Sequence, residues 1–247
     1  MPELPEAERA RQQIERALGR EIVAVDDADS YVCRPHAPGE IAAALTGRRL
    51  TQANRRGKFL WAETDGGPDL GLHLGMAGRI VIDEAPVGWD RFALEFADGG
   101  RLALRDKRRL GRAVIEPDFD HVGPDAAEVS RAVFRERVGR GTMALKARLL
   151  DQGSISGVGN LLADETLWRA RLSPRRPAGT LSEEELDHLR RVLRAATRDA
   201  IRKGGVHTGT FIAHRQRGGH CPRCRTALER ATIGGRTTFW CPACQND

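Results

Sequence analysis

Four cysteines near the C-terminus carry the plainest chemical signal in this chain. Cys221 and Cys224 are separated by two residues, Cys241 and Cys244 likewise, and sixteen residues lie between the pairs. Two such turns match the ligand spacing of a four-thiolate zinc site. Pro222 and Pro242 stiffen the turns. Four thiolates leave no open coordination position, so this zinc is expected to be structural, one ion per chain. The same sulfurs could form two disulfides or stay free. No signal-peptide pattern precedes the first helix pattern, and a reducing compartment disfavours disulfides. Cys33, alone between Val32 and Arg34, reads as a packing residue.

The N-terminus is the second signal: Met1-Pro2-Glu3-Leu4-Pro5-Glu6. Once Met1 is removed, Pro2 carries a free secondary amine. An α-amino group titrates near pH 7.7–8.0, so much of it is neutral and nucleophilic at about physiological pH. A secondary amine attacking an aldehyde-like carbon gives an iminium directly, and an iminium is an electron sink for elimination. Glu3 is adjacent and can shuttle protons. With Met1 attached the Pro2 nitrogen is an amide and cannot attack. The plain alternative is an ordinary helix start, with proline near the first position and acids complementing the dipole.

Composition bounds the partner. The chain has 247 residues, with 40 Lys+Arg against 34 Asp+Glu and a formal net charge of +6. Residues 1–200 hold 32 of each sign, so the whole excess falls in residues 201–247, with 8 basic and 2 acidic residues. A second basic cluster comprises Arg101, Arg105, Lys107, Arg108, Arg109 and Arg112 against Asp106. Two basic zones suggest a polyanion, nucleic acid being the commonest; solvated surface charge is the alternative. No apolar run approaches the roughly 20 residues of a bilayer span, so no membrane partner is expected.

These groups need elements to hold them. Residues 5–18 place Ala7, Ala10, Ile14 and Leu18 on one helical face, with Gly19 as the stop. Pro2 and Pro5 are expected to keep the lead-in extended. A strand pattern follows. Phe92-Leu94-Phe96 alternates, turns at Asp98-Gly99-Gly100 and returns as Leu102-Leu104. Ile80–Ile82 and Phe59–Trp61 are further strands, and several short strands suggest a β-sandwich or barrel. Residues 117–125 read as a linker. Helices are predicted over 126–138, 144–151, 160–169 and 182–203. Ser182 and Glu185 form a capping box for the last, and Gly204 closes it. Ala227-Leu228 and Thr237–Trp240 are predicted as a hairpin turned at Gly234-Gly235. The expected fold class is α+β and multidomain.

Six motifs occur in order: Met-Pro-Glu-Leu-Pro-Glu at the start, Arg55-Arg56-Gly57-Lys58-Phe59-Leu60, His73-Leu74-Gly75-Met76, Asp106-Lys107-Arg108-Arg109-Leu110-Gly111, Leu149-Leu150-Asp151-Gln152 leading to Gly157-Val158-Gly159-Asn160, and Gly234-Gly235-Arg236-Thr237-Thr238-Phe239-Trp240-Cys241. Together they resemble the formamidopyrimidine-DNA glycosylase and endonuclease VIII family, end to end. The resemblance implies an N-terminal β-sandwich with a leading helix over 1–118. A helix-two-turn-helix domain over 125–203 and a zinc finger region over 204–247 would follow. It implies a base-excision-repair glycosylase with abasic-site lyase activity. Its partner would be double-stranded DNA bearing damaged bases or abasic sites, held in a cleft between the halves by a monomer in a bacterial cytoplasm, at the nucleoid.

By the same resemblance Pro2 attacks C1′ of the flipped nucleotide, Glu3 protonates the sugar ring oxygen, and β- and δ-elimination follow. Glu6 would help position the base. Lys58, Asn160 and Arg236 would grip phosphates, with Lys146 and His73 as further DNA-binding candidates. A lysine in a turn, a helix-terminal asparagine, a turn arginine and a core histidine are the plain readings. Met76, Arg108 and Leu110 would fill the gap left by the extruded base. Two departures stand out. Leu110 and Lys107 occupy positions where formamidopyrimidine enzymes usually carry Phe and Pro. Only fifteen residues separate Gly205 from Cys221, where members that excise 8-oxoguanine carry a longer segment. 8-Oxoguanine is therefore expected to be a poor substrate. A catalytically idle damage sensor of the same fold is the main alternative, and a zinc-ribbon adaptor explains the tail alone.

Overall fold

The computed structural model describes residues 2–246, and Met1 and Asp247 lie outside the described residues. Processing of Met1 therefore lies outside them too. The chain divides into two compact units. One comprises Pro2 with Ala7–Phe119; the other comprises Glu3–Glu6 with the chain from Asp120.

Helix α1 (Leu4–Glu15) belongs to the first unit from Ala7 onward, where it buries Ala7, Ala10 and Ile14, and its stripe runs on to Ala17. Pro5 lies inside the first turn of α1 rather than in an extended lead-in. The N–H it lacks is one the helix does not use there. One sheet is ordered β1 (Ile22–Asp26), β6 (Asp90–Phe96), β7 (Arg101–Arg105), β5 (Arg79–Ile82). The other is ordered β2 (Leu50–Arg56), β3 (Phe59–Thr64), β4 (Leu70–His73), β8 (Arg112–Ile115). All pairings are antiparallel. Inward residues alternate as a two-residue period requires: Phe92, Leu94, Leu102 and Leu104 from one sheet share a core with Leu50, Leu60, Leu70 and Leu72 from the other. The expected sandwich is thus two facing sheets. Cys33 is 0% exposed within that core.

A short helix, α2 (Glu40–Leu45), has no counterpart in the sequence reading. Its start is held by the buried Asp27 carboxylate, which accepts the N–H groups of Gly39 (2.8 Å), Ile41 (3.0 Å) and Ala42 (3.1 Å). The capping group lies twelve residues upstream of Gly39, so no local capping pattern reveals it.

In the second unit, α3 (Arg131–Val138) starts later than predicted, because Ser130 caps it by accepting the Val133 N–H. The residues before it form a turn closed by Asp125, whose carboxylate accepts the Ala127 N–H. Helices α4 (Leu145–Leu150), α5 (Asn160–Ala170) and α6 (Glu183–Lys203) follow. The Ser182–Glu185 capping box and the Gly204 stop on α6 are both present. The zinc-type hairpin pairs β9 (Glu229–Ile233) with β10 (Arg236–Trp240) around Gly234-Gly235. Its first strand begins after Ala227-Leu228, not on them. Those two residues instead turn back on the first cysteine knuckle: Ala227 bridges His220, and the Leu228 N–H donates to Gly219 O. No helix among the described residues is long and apolar enough to cross a membrane.

Candidate active site and DNA-contact residues

The chain start is anchored through Glu3, which is 1% exposed. Its carboxylate occupies the N-terminus of α5. It accepts the Gly159 N–H (3.0 Å), the Leu161 N–H (2.8 Å) and the Leu162 N–H (2.9 Å). These first amides of the helix have no intrahelical acceptor, and an internal carboxylate takes them. The approach explains Gly159: a Cβ there would lie 2.3 Å from Glu3 Cδ. The Glu3 N–H in turn donates to Glu6 Oε2 (3.0 Å), and Glu6 Oε1 accepts the Val206 N–H (2.7 Å). Two acids therefore fix the backbone that follows Pro2, and both belong to one unit with their partners.

The loop before α5 is shaped by Gln152. Its amide donates to Leu150 O (2.8 Å) and Val158 O (2.9 Å) and accepts the Gly157 N–H (3.0 Å). Asn160 is half-buried at the first position of α5. Its Oδ1 accepts from Lys146 Nζ at 2.7 Å. That bond uses the Asn160 oxygen and leaves its two amide N–H donors outside it.

Lys146 is not a surface phosphate ligand. It is 0% exposed, and its ammonium meets Asp164 Oδ1 (2.6 Å), Thr238 Oγ1 (2.7 Å) and Asn160. Burial pushes its pKa below the usual lysine range, opposed by the Asp164 charge and its hydrogen bond. Asp164, also 0% exposed at its side chain, bonds Arg215 Nε at 2.5 Å, and the Arg215 guanidinium reaches Thr237 O. Lys146 thus acts through Asn160 and through β10, the strand that begins with Arg236. Arg236 itself is exposed at the hairpin turn.

The four cysteine sulfurs lie within 4.8 Å of one another. Cys224 Sγ is 3.4 Å from Cys241 Sγ and from Cys244 Sγ, and Cys221 Sγ is 3.9 Å from Cys244 Sγ. A tetrahedral zinc with bonds of about 2.3 Å requires sulfur separations of about 3.8 Å. Disulfide bonds near 2.05 Å are excluded by these distances. The set fits one structural zinc. The Trp168 indole N–H donates to Cys221 Sγ (3.3 Å), which ties α5 to the metal centre.

In the first unit, Lys58 forms the tip of the β2–β3 hairpin with Gly57. His73 ends β4, stacked against Phe59 at 5.1 Å, and its Nδ1 accepts the Gly75 N–H (3.1 Å). Burial, and secondarily the Lys58 charge, lowers its pKa. The ring is packed and hydrogen-bonded, with part of its surface still accessible. Met76, Arg108 and Leu110 come from two loops that touch: a Cβ on Gly75 would lie 2.4 Å from the Leu110 carbonyl. Asp106, 1% exposed, organises the second loop. Its carboxylate accepts the N–H groups of Arg108 (2.9 Å), Leu110 (2.8 Å) and Gly111 (2.8 Å). Met76 and Arg108 are exposed and Leu110 is partly exposed.

The basic cluster around these loops is smaller than its residue count. Arg105 bonds Asp90 and Glu84, and Arg101 bonds Asp90 and Glu95. Arg109 makes a two-pronged pair with Asp29 (2.9 and 2.7 Å). Sequence reasoning missed these acids because they are distant in the chain. It also missed Glu165, whose carboxylate accepts the N–H groups of Thr210 and Phe211 and so clamps the short segment after α6.

Two outcomes follow. Gly159→Ala expels the Glu3 carboxylate, leaves buried amides without their acceptor, and is expected to cost about 2 kcal/mol or more; urea unfolding measures it, and an unchanged midpoint contradicts the anchoring role. Zinc chelation is expected to unfold the β9–β10 hairpin and shift Trp168 emission, since that indole bonds a ligand sulfur; unchanged fluorescence after complete zinc loss contradicts the metal assignment.

Comparison with known proteins gives one answer along the whole chain. Residues 1–113 match the family model described as formamidopyrimidine-DNA glycosylase N-terminal domain, and residues 122–211 match its H2TH domain. Residues 218–246 match a zinc finger found in FPG and IleRS. A formamidopyrimidine-DNA glycosylase of Chloroflexus aggregans is 36% identical over 272 aligned positions, covering 99% of this chain and 98% of that protein. One from Nocardioides is 38% identical, covering 99% and 94%. The crystal structure of the MutM (Fpg) protein of Thermus thermophilus superposes with a TM-score of 0.83 at 35% identity, covering 99% and 98%. The Lactococcus lactis Fpg bound to DNA containing Fapy-dG superposes at 0.86 with 27% identity, covering 99% and 100%. Six ordered motifs, a thiolate set with zinc geometry and full-length similarity at this level together place the chain in the formamidopyrimidine-DNA glycosylase family.

Proposed function

We propose that this chain removes oxidised or ring-opened bases from double-stranded DNA and then cleaves the abasic site, with the Pro2 amine as nucleophile. The observation that carries the reading is the anchoring of Glu3 under the α5 N-terminus, which holds the residue next to Pro2 in one place. The amine nitrogen bonds to C1′ as the C1′–N bond to the base breaks, and the base leaves with the electron pair and gains a proton. Glu3, the nearest carboxylate in the chain, protonates the ring oxygen as the sugar opens. The resulting iminium acidifies C2′: loss of the C2′ proton to a base expels the 3′ phosphate as C3′–O breaks, and loss of the C4′ proton then expels the 5′ phosphate as C5′–O breaks, so both flanking phosphates leave. Glu6 positions the start of the chain. Lys58, Asn160 and Arg236 hold phosphates, and Met76, Arg108 and Leu110 occupy the vacated stack.

The labour divides along the chain: residues 1–118 supply the nucleophile and wedges, 125–203 the helical DNA-binding part, and 204–247 the zinc finger region. The partner is damaged duplex DNA, the acting species is a monomer, and the site of action is the bacterial nucleoid. Lesion preference turns on the segment between Gly205 and Cys221. Its backbone is bonded to Glu6 and Glu165, and Phe211, 0% exposed, stacks on Trp168 at 5.6 Å. A chain this short and this tightly held has no slack to fold over a flipped purine.

Borohydride trapping tests the nucleophile. Abasic duplex DNA is expected to become covalently fixed to the protein, and Pro2→Gly to lower the yield at least tenfold; trapping that survives Pro2→Gly sinks the assignment. It also separates an active enzyme from an idle sensor, which gives no cross-link. In single-turnover assays, 8-oxoguanine opposite cytosine is expected to leave at least tenfold more slowly than a ring-opened purine or an oxidised pyrimidine. Equal rates would overturn the substrate reading.

A further inference from the structure

Beside the Met76–Leu110 loops lies a cavity of 320 Å³ to which the roles above give no occupant. Ala77, Arg79, Trp89, Arg105 and Lys107 line it. Trp89 precedes β6 and is 39% exposed, an unusual state for so large an apolar ring. Its backbone carbonyl accepts the Asp106 N–H (2.9 Å), so the indole rides on the residue that organises the 108–111 loop. Lys107 Nζ sits over the ring, 4.3 Å from its centroid.

The charge balance of the cavity is positive. Arg105 is neutralised by Asp90 and Glu84. Arg79, with 64% of its side chain exposed, has only a loose contact with Glu84 at 3.9 Å. Lys107 has the indole face as its partner, a contact worth about 0.5–1 kcal/mol at an exposed site. A nucleobase stacked on a protein aromatic is worth about 1–3 kcal/mol, and a phosphate attracts an ammonium more strongly than a ring does. The cation is therefore a replaceable cover: a base takes the ring face and the ammonium swings to the sugar–phosphate backbone.

We propose that Trp89, Lys107 and Arg79 form a stacking and phosphate-binding site for a nucleotide of the undamaged strand, next to the base left without a partner. The strand follows from neighbourhood. Lys107 is joined to Arg108, which in the proposed function enters the vacated stack and there meets the base left without a partner, and Ala77 is joined to Met76 on the adjoining loop. The inference rests on the proposed function, because that reading puts Met76, Arg108 and Leu110 in the duplex. It adds a contact that offsets the smaller wedge at Leu110: lost stacking inside the helix is replaced by stacking outside it.

The test uses the zinc-loaded full-length protein and a duplex with a tetrahydrofuran abasic analogue. 2-Aminopurine is placed in turn at each complementary-strand position from three nucleotides on one side to three on the other. One position adjacent to the orphaned base is expected to change emission on binding, and Trp89→Leu to abolish that change and weaken affinity about tenfold. Trp89→Phe should retain part of both. Lys107→Gln should lower the slope of log affinity against log salt by about 1. No signal at any complementary position, or affinity unaltered by Trp89→Leu, overturns the site. Borohydride trapping on a true abasic duplex runs in parallel. Cross-linking without the 2-aminopurine signal removes this inference alone, whereas absent cross-linking removes the functional reading and this inference with it.

Discussion

The start of this chain depends on one carboxylate placed at one helix terminus. Glu3 is buried against the first amides of α5, where three N–H groups have no partner inside the helix. The side chain of the third residue thereby anchors a segment that would otherwise fray. The anchor is mutual: it satisfies the helix, excludes any side chain at position 159, and fixes the backbone at the chain start. Glu6 extends it by linking the Glu3 amide to the Val206 amide.

A second dependence runs through buried charge. Lys146, Asp164 and Arg215 form a chain of opposite charges from α4 through α5 to the segment before the zinc hairpin. Breaking one partner of such a set costs about 3–5 kcal/mol, because the other charge is left without compensation. The gain is definition rather than stability alone. Asn160 and Thr238 are both bonded to the Lys146 ammonium, so a helix terminus and a hairpin strand are tied to one atom. Zinc adds a covalent version of the same restraint, and the Trp168 bond to Cys221 carries it back to α5.

The surface charge shows why counting basic residues overstates an anion site. In the 101–112 cluster, Arg101, Arg105 and Arg109 are paired with Asp90 and Glu95 of β6 and with Asp29 and Glu84. These pairs brace the sandwich. The charges that point outward are concentrated at Lys107 and Arg108, on a turn held open by the Asp106 carboxylate. The exposed positive charge is thus focused where the loops meet.

Local signals were legible in the sequence because their physics is local. The 3.6-residue stripe and capping box define α6, alternation defines β6 and β7, and the spacing of Cys221, Cys224, Cys241 and Cys244 defines a metal site. The ordered motifs identify the family for the same reason, since each is a short contiguous string. What the sequence could not show is which side chain answers which backbone group across many residues. Asp27 caps α2 from twelve residues away, Glu3 caps α5 from more than 150 residues away, and Lys146 is a buried brace. The identities of these residues were set by the chain alone; their roles were decided by tertiary contact, because a buried charge or an unpaired amide finds its partner by proximity in space, and proximity in space is not written in spacing along the chain.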